Sequence, residues 1–183
     1  MSLDSVCVFA ASKAGSNPHH PEKAAVLGAA LARRGVTLVY GGSSSGLMGA
    51  MADAALAGGG RVVGVMPQAL VDREIAHRGL SELIITRDMH ARKARMASLA
   101  GAFLALPGGY GTLEELFEMI TWAQLGLHRK PVGLLDSDGF WDGLRAFLAQ
   151  VRAVGFIPES GLAALPCDPD PDRILDLLSG AAI

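Results

Sequence analysis

Ala102–Leu125 reads AFLALPGGYGTLEELFEMITWAQL: a short aliphatic run, a glycine-dense turn and a long amphipathic stretch. Ala102–Leu106 has the length and residue types of a fully buried strand. Thr112–Leu125 carries apolar residues at 113, 116, 117, 119, 120, 122, 123 and 125, the pattern of a helix with a wide apolar face. Between them Gly108, Gly109 and Gly111 allow torsions and close approaches that a Cβ would block. The stretch is one βα unit.

The same alternation extends to both ends of the chain. Strands are expected at Val6–Ala10, Thr37–Tyr40, Val62–Met66, Leu83–Thr86, Ala102–Leu106 and Pro131–Leu135. Helices are expected at His20–Arg34, Gly46–Ala57, Met89–Ala100, Thr112–Leu125, Phe140–Val154 and Asp170–Leu178. Strands alternating with helices build βαβ units around a parallel sheet. The expected fold is therefore α/β, a Rossmann-like doubly wound parallel sheet with helices on both faces. No repeat, low-complexity tract or linker interrupts the pattern, so residues 1–183 are read as one domain, with a weakly informative tail after Pro158. A chain of this length buries about 70% of its extended surface on folding. Half of its residues are apolar but only 5% aromatic, which predicts an aliphatic core.

Sheets of this kind bind ligands beyond the carboxyl ends of their strands, and three runs stand there. In the first, Thr112 falls near a helix start, where free N–H groups and the dipole favour an anion, with Glu115 one turn further on. Thr112-x-x-Glu115 also has the spacing of a capping box, and from sequence both readings stand. The dinucleotide pattern GxGxxG fails because Glu114 occupies its last glycine position. The second run, Val39–Met51, reads VYGGSSSGLMGAM. Gly41 and Gly46 have GxxxxG spacing, but Leu47 stands where a P-loop needs its Lys, which excludes a nucleoside-triphosphate P-loop. Ser43 to Ser45 add donors suited to a phosphate or ribose, although a plain tight turn fits equally.

The third run, Arg87–Met96, reads RDMHARKARM. Asp88 is placed to cap a helix beginning near Met89. Arg92, Lys93 and Arg95 then sit in its first two turns, where the dipole disfavours each cation by roughly 0.3–1 kcal/mol. Either an anionic partner offsets that cost, or the cluster is a solvated basic face. Arg92 has the planar fork to orient a phosphate or a sugar hydroxyl.

The remaining residues narrow the choice of chemistry. A net charge of −2 argues against non-specific nucleic-acid binding. Two cysteines, Cys7 and Cys167, fit a reducing cytoplasm and provide no metal set. No leader or membrane span is visible, because apolar runs break at glycine or charge well before 18 residues. His19 and His20 read as surface loop, with no further ligand spaced to join them in a metal site. Glu114 and Glu118 share one helical face, turned to solvent or to a dimer partner. Met48, Met89, Met96 and Met119 read as core or pocket wall. The wide apolar stripe after Thr112 predicts a homodimer.

Taken together, the three runs resemble the LOG ("Lonely Guy") family, cytokinin riboside 5′-monophosphate phosphoribohydrolases long mislabelled as lysine decarboxylases. The pattern PGGxGTxxE is present as Pro107, Gly108, Gly109, Gly111, Thr112 and Glu115, and MxxRK as Met89, Arg92 and Lys93. The YGGG-x-x-GLMG loop appears as Tyr40–Gly49, with Ser43 replacing the third glycine. The downstream stretch TWAQLGLHRKPVGLLDSDGFW also looks like the family, so the resemblance covers residues 5–160 approximately. The family's CGSS-like loop has become FAASKAG over Phe9–Gly15, keeping Ser12 but placing Ala10 and Ala11 where Cys and Gly are usual. The resemblance implies hydrolysis of AMP and N6-prenylated AMP to free base and ribose 5-phosphate, with no metal and no redox cofactor. It implies Arg92 and Glu115 as catalytic residues. It implies substrate contacts from Ser12, Gly42, Ser43, Gly46, Met89, Arg92, Lys93, Gly108, Gly109, Tyr110, Gly111 and Thr112. The alternative is a carrier that binds a nucleotide or pterin cofactor on the same fold without turnover.

Overall fold

The computed structural model describes residues 3–71, 76–158 and 165–180. Seven strands form one parallel sheet: β1 (Ser5–Phe9), β2 (Thr37–Tyr40), β3 (Val62–Pro67), β4 (Glu82–Thr86), β5 (Ala102–Ala105), β6 (Val132–Leu135) and β7 (Cys167–Asp168). Helices α1 (His19–Arg33), α2 (Gly46–Ala57), the short α3 (Gln68–Val71), α4 (Met89–Leu99), α5 (Tyr110–Gln124), α6 (Asp142–Ala153) and α7 (Pro171–Gly180) connect and flank them. The expected α/β class and all six expected strands are present. A seventh, two-residue strand joins the sheet edge beside β6.

Alternation along each strand sends side chains to opposite faces, and both faces are apolar, as a parallel sheet with covering helices requires. On one side Val6, Val8, Leu38, Tyr40 and Leu104 pack with Leu27 and Leu31 of α1, Met51 of α2, and Ile174 and Leu178 of α7. On the other, Cys7, Phe9, Val39, Val65 and Phe103 pack with Met96 of α4, Leu116 and Met119 of α5, and Trp141. Both clusters are mainly aliphatic, around a few fully buried rings such as Trp141, Tyr40 and Phe103.

Strand order is β4-β3-β2-β1-β5-β6-β7. The chain winds outward from β1 to β4, then returns to pair β5 with the opposite side of β1. Between β1 and β5 the direction of winding reverses, and the loops leaving the two strands diverge to open a crevice. Ala11 N–H donates to the Pro107 carbonyl (3.3 Å) and Met48 N–H to the Ala11 carbonyl (3.2 Å), tying the β1–α1 loop between the β5 turn and α2.

Candidate active site

The glycine turn after β5 starts α5 two residues earlier than the sequence pattern indicates. Gly109, extended at φ −96° and ψ −150°, is the N-cap, and no side chain caps this end. Thr112 lies inside the first turn, which removes the capping-box reading of Thr112 and Glu115. The physical reason is that glycine serves as an N-cap through its backbone alone. The opening N–H groups of α5 have no acceptor within the helix. An ideal Cβ on Gly109 or Gly111 would meet nothing within 4 Å, so the turn faces open space.

Helix α4 begins at Met89 with Asp88 as its N-cap, as expected, the Asp88 carboxylate accepting from Ala91 N–H at 2.7 Å. Arg92 turns inward from the first turn and is only 8% exposed. Its Nε donates to the Val65 carbonyl (3.0 Å) and one terminal nitrogen donates to the Gly41 carbonyl (3.3 Å). The guanidinium is thus seated on main chain at the ends of β3 and β2. Gly41 makes room for it, since a Cβ there would lie 2.2 Å from Arg92 Nη2. The remaining nitrogen, Nη1, points to Glu115 at 3.7 Å, close enough for attraction but too long for a hydrogen bond.

Glu115 is 9% exposed. Burial pushes its carboxyl up from the ordinary 4.5 to about 7; Arg92 opposes the rise, Glu114 adds to it, and Lys93 and Glu118 follow with smaller effects of opposite sign. A carboxyl in that range both gives and takes a proton near neutrality, the condition for general acid–base work.

The pair closes the floor of a cleft of about 370 Å³ at the β1/β5 reversal, a size ordinary for small-ligand sites. Of the residues expected at a site, Ser12, Arg92, Gly109, Tyr110, Gly111, Thr112 and Glu115 line it together. Tyr110, 94% exposed, stands at its rim. Gly108 faces an adjoining cavity of about 220 Å³ instead, bordered by His20 and Phe140.

The other expected residues lie elsewhere, each for a visible reason. Gly42 and Ser43 sit against Ala76 and His77: Gly42 accepts from His77 N–H (3.0 Å), and Ser43 forms an antiparallel bridge with Ala76. Gly46 packs on the backbone of Ser12 and Lys13. Met89 stays on the surface with its sulfur 3.8 Å from Arg92 Nη1. Lys93 pairs with Glu114 and Glu118, so these carboxylates face a cation of α4 rather than solvent or a dimer partner alone. The dipole cost of Arg92 and Lys93 is met inside the protein, while Arg95 is exposed. His19 and His20 open α1 rather than lying in a loop; His19 pairs with Asp138 (2.7 Å) and His20 with Ser137 (2.9 Å).

Sequence reasoning missed Lys13 and Gly41 as cleft walls, while Met48, read as core or pocket wall, does line the cleft. Gly41 and Met48 lie inside a run already marked; Lys13 lies in the loop that departs from the family pattern. Among the described residues no cluster of three or more His, Cys, Asp or Glu is arranged to hold a metal ion. No helix there is long and apolar enough to cross a membrane.

Comparison with known proteins separates fold from family. The structure superposes on the molybdenum cofactor binding protein of Rippkaea orientalis (TM-score 0.71, 21% identity, 97% of this chain and 96% of that one). The molybdenum cofactor carrier protein of Chlamydomonas reinhardtii gives a TM-score of 0.70 at 23% identity, over 96% of each chain. Identities this low establish the shared fold and nothing more. Sequence relatives are nearer. Cytokinin riboside 5′-monophosphate phosphoribohydrolase LOG7 of Arabidopsis thaliana is 53% identical over 83% of this chain and 70% of its own. The probable phosphoribohydrolase LOGL9 of Oryza sativa subsp. japonica is 48% identical over 94% of this chain and 76% of its own. A family model described as "possible lysine decarboxylase" matches residues 48–178, the span that carries both Arg92 and Glu115. With this much of the chain aligned at such identity, the protein is a member of the LOG family of enzymes.

Proposed function

We propose that this cleft hydrolyses the N-glycosidic bond of nucleoside 5′-monophosphates, AMP and N6-prenylated AMP, to free base and ribose 5-phosphate. The buried Arg92–Glu115 pair, set against the uncapped start of α5, carries the reading. The 5′-phosphate takes the first N–H groups of α5, which gain most from an anion, with the Thr112 hydroxyl and the Lys13 ammonium alongside. The ribose then lies over Glu115 and Arg92, and the base extends toward Ser12, Gly41 and Met48.

Glycosidic bonds break through an oxocarbenium-like sugar. Glu115 in its ionised form offsets that positive charge, orients a water molecule and takes its proton as oxygen bonds to the anomeric carbon. The bonding pair leaves with the base nitrogen, which takes up a proton from solvent, and Glu115 then gives the water's proton back to solvent, so water's hydroxyl ends on the ribose and one proton on the base. Arg92 holds a sugar hydroxyl and the carboxylate in register, its own position fixed by two main-chain carbonyls. Removing one such electrostatic partner commonly costs on the order of 3 kcal/mol of barrier. Relatives named for action on cytokinin riboside 5′-monophosphates support this substrate class.

Incubation with AMP, isopentenyl-AMP and adenosine, followed by chromatography, tests the reading. Free base is expected from both monophosphates and little from adenosine, because phosphate binding positions the scissile bond. Adenosine cleaved as efficiently as AMP overturns the role given to the helix start. Tight AMP binding without release of base leaves the carrier alternative. The same reading makes the protein a cytoplasmic homodimer: its cysteines are free, and the apolar stripe of α5 ends at Leu125, exposed together with Leu127. Light scattering that gives a monomer near 19.0 kDa refutes the dimer.

A further inference from the structure

Helices α4 and α5 are joined by two rungs of charge built from sequence neighbours. Arg92 reaches Glu115 in one rung; Lys93, the next residue, reaches Glu114 and Glu118 in the other. Glu114 precedes Glu115, and Glu118 lies three residues beyond it, so both carboxylates flank the buried acid along its own helix.

Lys93 is nearly as enclosed as Arg92, with its side chain 11% exposed, and it does not line the cleft. Its ammonium lies 3.1 Å from Glu118 Oε2, a buried oxygen without a well-aligned hydrogen bond among the described residues. Loss of the lysine would leave that oxygen with no cation. It would also leave two negative charges beside Glu115, each favouring the protonated acid there.

We infer that Lys93 is a positioning residue: by neutralising Glu114 and Glu118 it keeps the Glu115 carboxylate available at neutral pH, and it does not contact substrate. The inference rests on Glu115 as the base of the proposed reaction. The groups facing Glu115 are Arg92 and Lys93 from α4, Glu114 and Glu118 from α5, and Cys7 from β1 beneath it. Burial holds the Cys7 thiol well above its usual range, so it stays neutral while Glu115 titrates. Lys13 borders the same cleft from the β1–α1 loop.

The test compares wild type, Lys93→Met, Lys93→Arg and Glu118→Gln by two readouts. One is the acidic limb of kcat/KM against pH with AMP, which reports the free enzyme's essential base. The other is the Glu115 carboxyl titration in ligand-free protein, followed by carbon-13 NMR. Lys93→Met is expected to move both to higher pH by about one unit, the usual size for one nearby charge. Activity should fall about tenfold below pH 7, and far less at pH 9. Lys93→Arg should restore the profile, and Glu118→Gln should move it to lower pH.

An unchanged titration in Lys93→Met overturns the inference, and so does a raised KM with an unchanged pH profile, which would mark a substrate contact. If Lys93→Met does not fold, Glu118→Gln decides: no downward shift overturns the inference. An active Glu115→Gln enzyme would instead overturn the functional reading, while the ligand-free titration still settles the role of Lys93.

Discussion

Replacement of Glu115 by Gln should remove activity and stabilise the ligand-free protein, and the stabilisation should grow with pH. Unfolded, the carboxyl titrates near 4.5; folded, near 7. The folded state therefore holds the proton more tightly, and ionisation opposes folding as pH rises from the first value to the second. Above both values the penalty is constant, at about 3 kcal/mol from the difference in proton affinity. At pH 5, where the unfolded carboxyl is largely ionised and the folded one protonated, the same linkage gives about 1 kcal/mol.

Glutamine is neutral throughout, so the stability difference between variant and wild type should widen by roughly 2 kcal/mol between pH 5 and pH 8. Any fixed offset from packing, or from the Arg92 guanidinium left facing an amide, shifts both ends equally, because arginine does not titrate in this window. Urea unfolding at matched protein concentration, at half-unit pH steps and without nucleotide, measures the difference. A difference that stays flat from pH 5 to pH 8 would refute the raised proton affinity of the buried carboxyl.

Further expectations concern the residues that frame the pair. Arg92→Ala should lower kcat by about a hundredfold, the usual loss when one charge partner is removed; a change confined to KM would reassign Arg92 to binding alone. Gly41→Ala places a Cβ 2.2 Å from the guanidinium, so it should cost nearly as much in kcat although position 41 carries no chemistry. Retention of wild-type kcat would show that the Gly41 seat is not needed. Gly111→Ala meets no neighbouring atom and favours the helix by up to about 1 kcal/mol. It should fold at least as stably, yet raise the KM for AMP by crowding the phosphate, and steady-state kinetics beside thermal unfolding would separate the two effects.

The alternation that organises the sheet was legible because every central strand is a short aliphatic run followed by a helical pattern. β7 was not, since Cys167–Asp168 offers two residues and no periodicity, and its place depends on β6 beside it. The start of α5 was misplaced because Thr-x-x-Glu imitates a cap, whereas Gly109 caps without a side chain to signal it. Arg92 and Glu115 stood out as a motif, but their burial and shared floor come from two helices brought together by strand order. The partners of Lys93 were hidden for a related reason: Glu114 is 21 residues away in sequence, and nothing local pairs them. Lys13 was overlooked because its loop lies flush with the cleft only through the contacts of Ala11 with Pro107 and Met48.

The two ends of the cleft hang from separate parts of the sheet. Arg92 and Glu115 project from helices that pack on one face, with Arg92 moored to main-chain carbonyls whose positions do not depend on side-chain identity. Ser12 and Lys13 belong to a loop that leaves β1 and leans on α2, a helix of the opposite face. A change in that loop, at Ala10 or Ala11 for example, alters one wall of the cleft without touching the contacts that moor Arg92. One wall of the cleft is thereby free to vary while the opposite wall stays moored to the sheet.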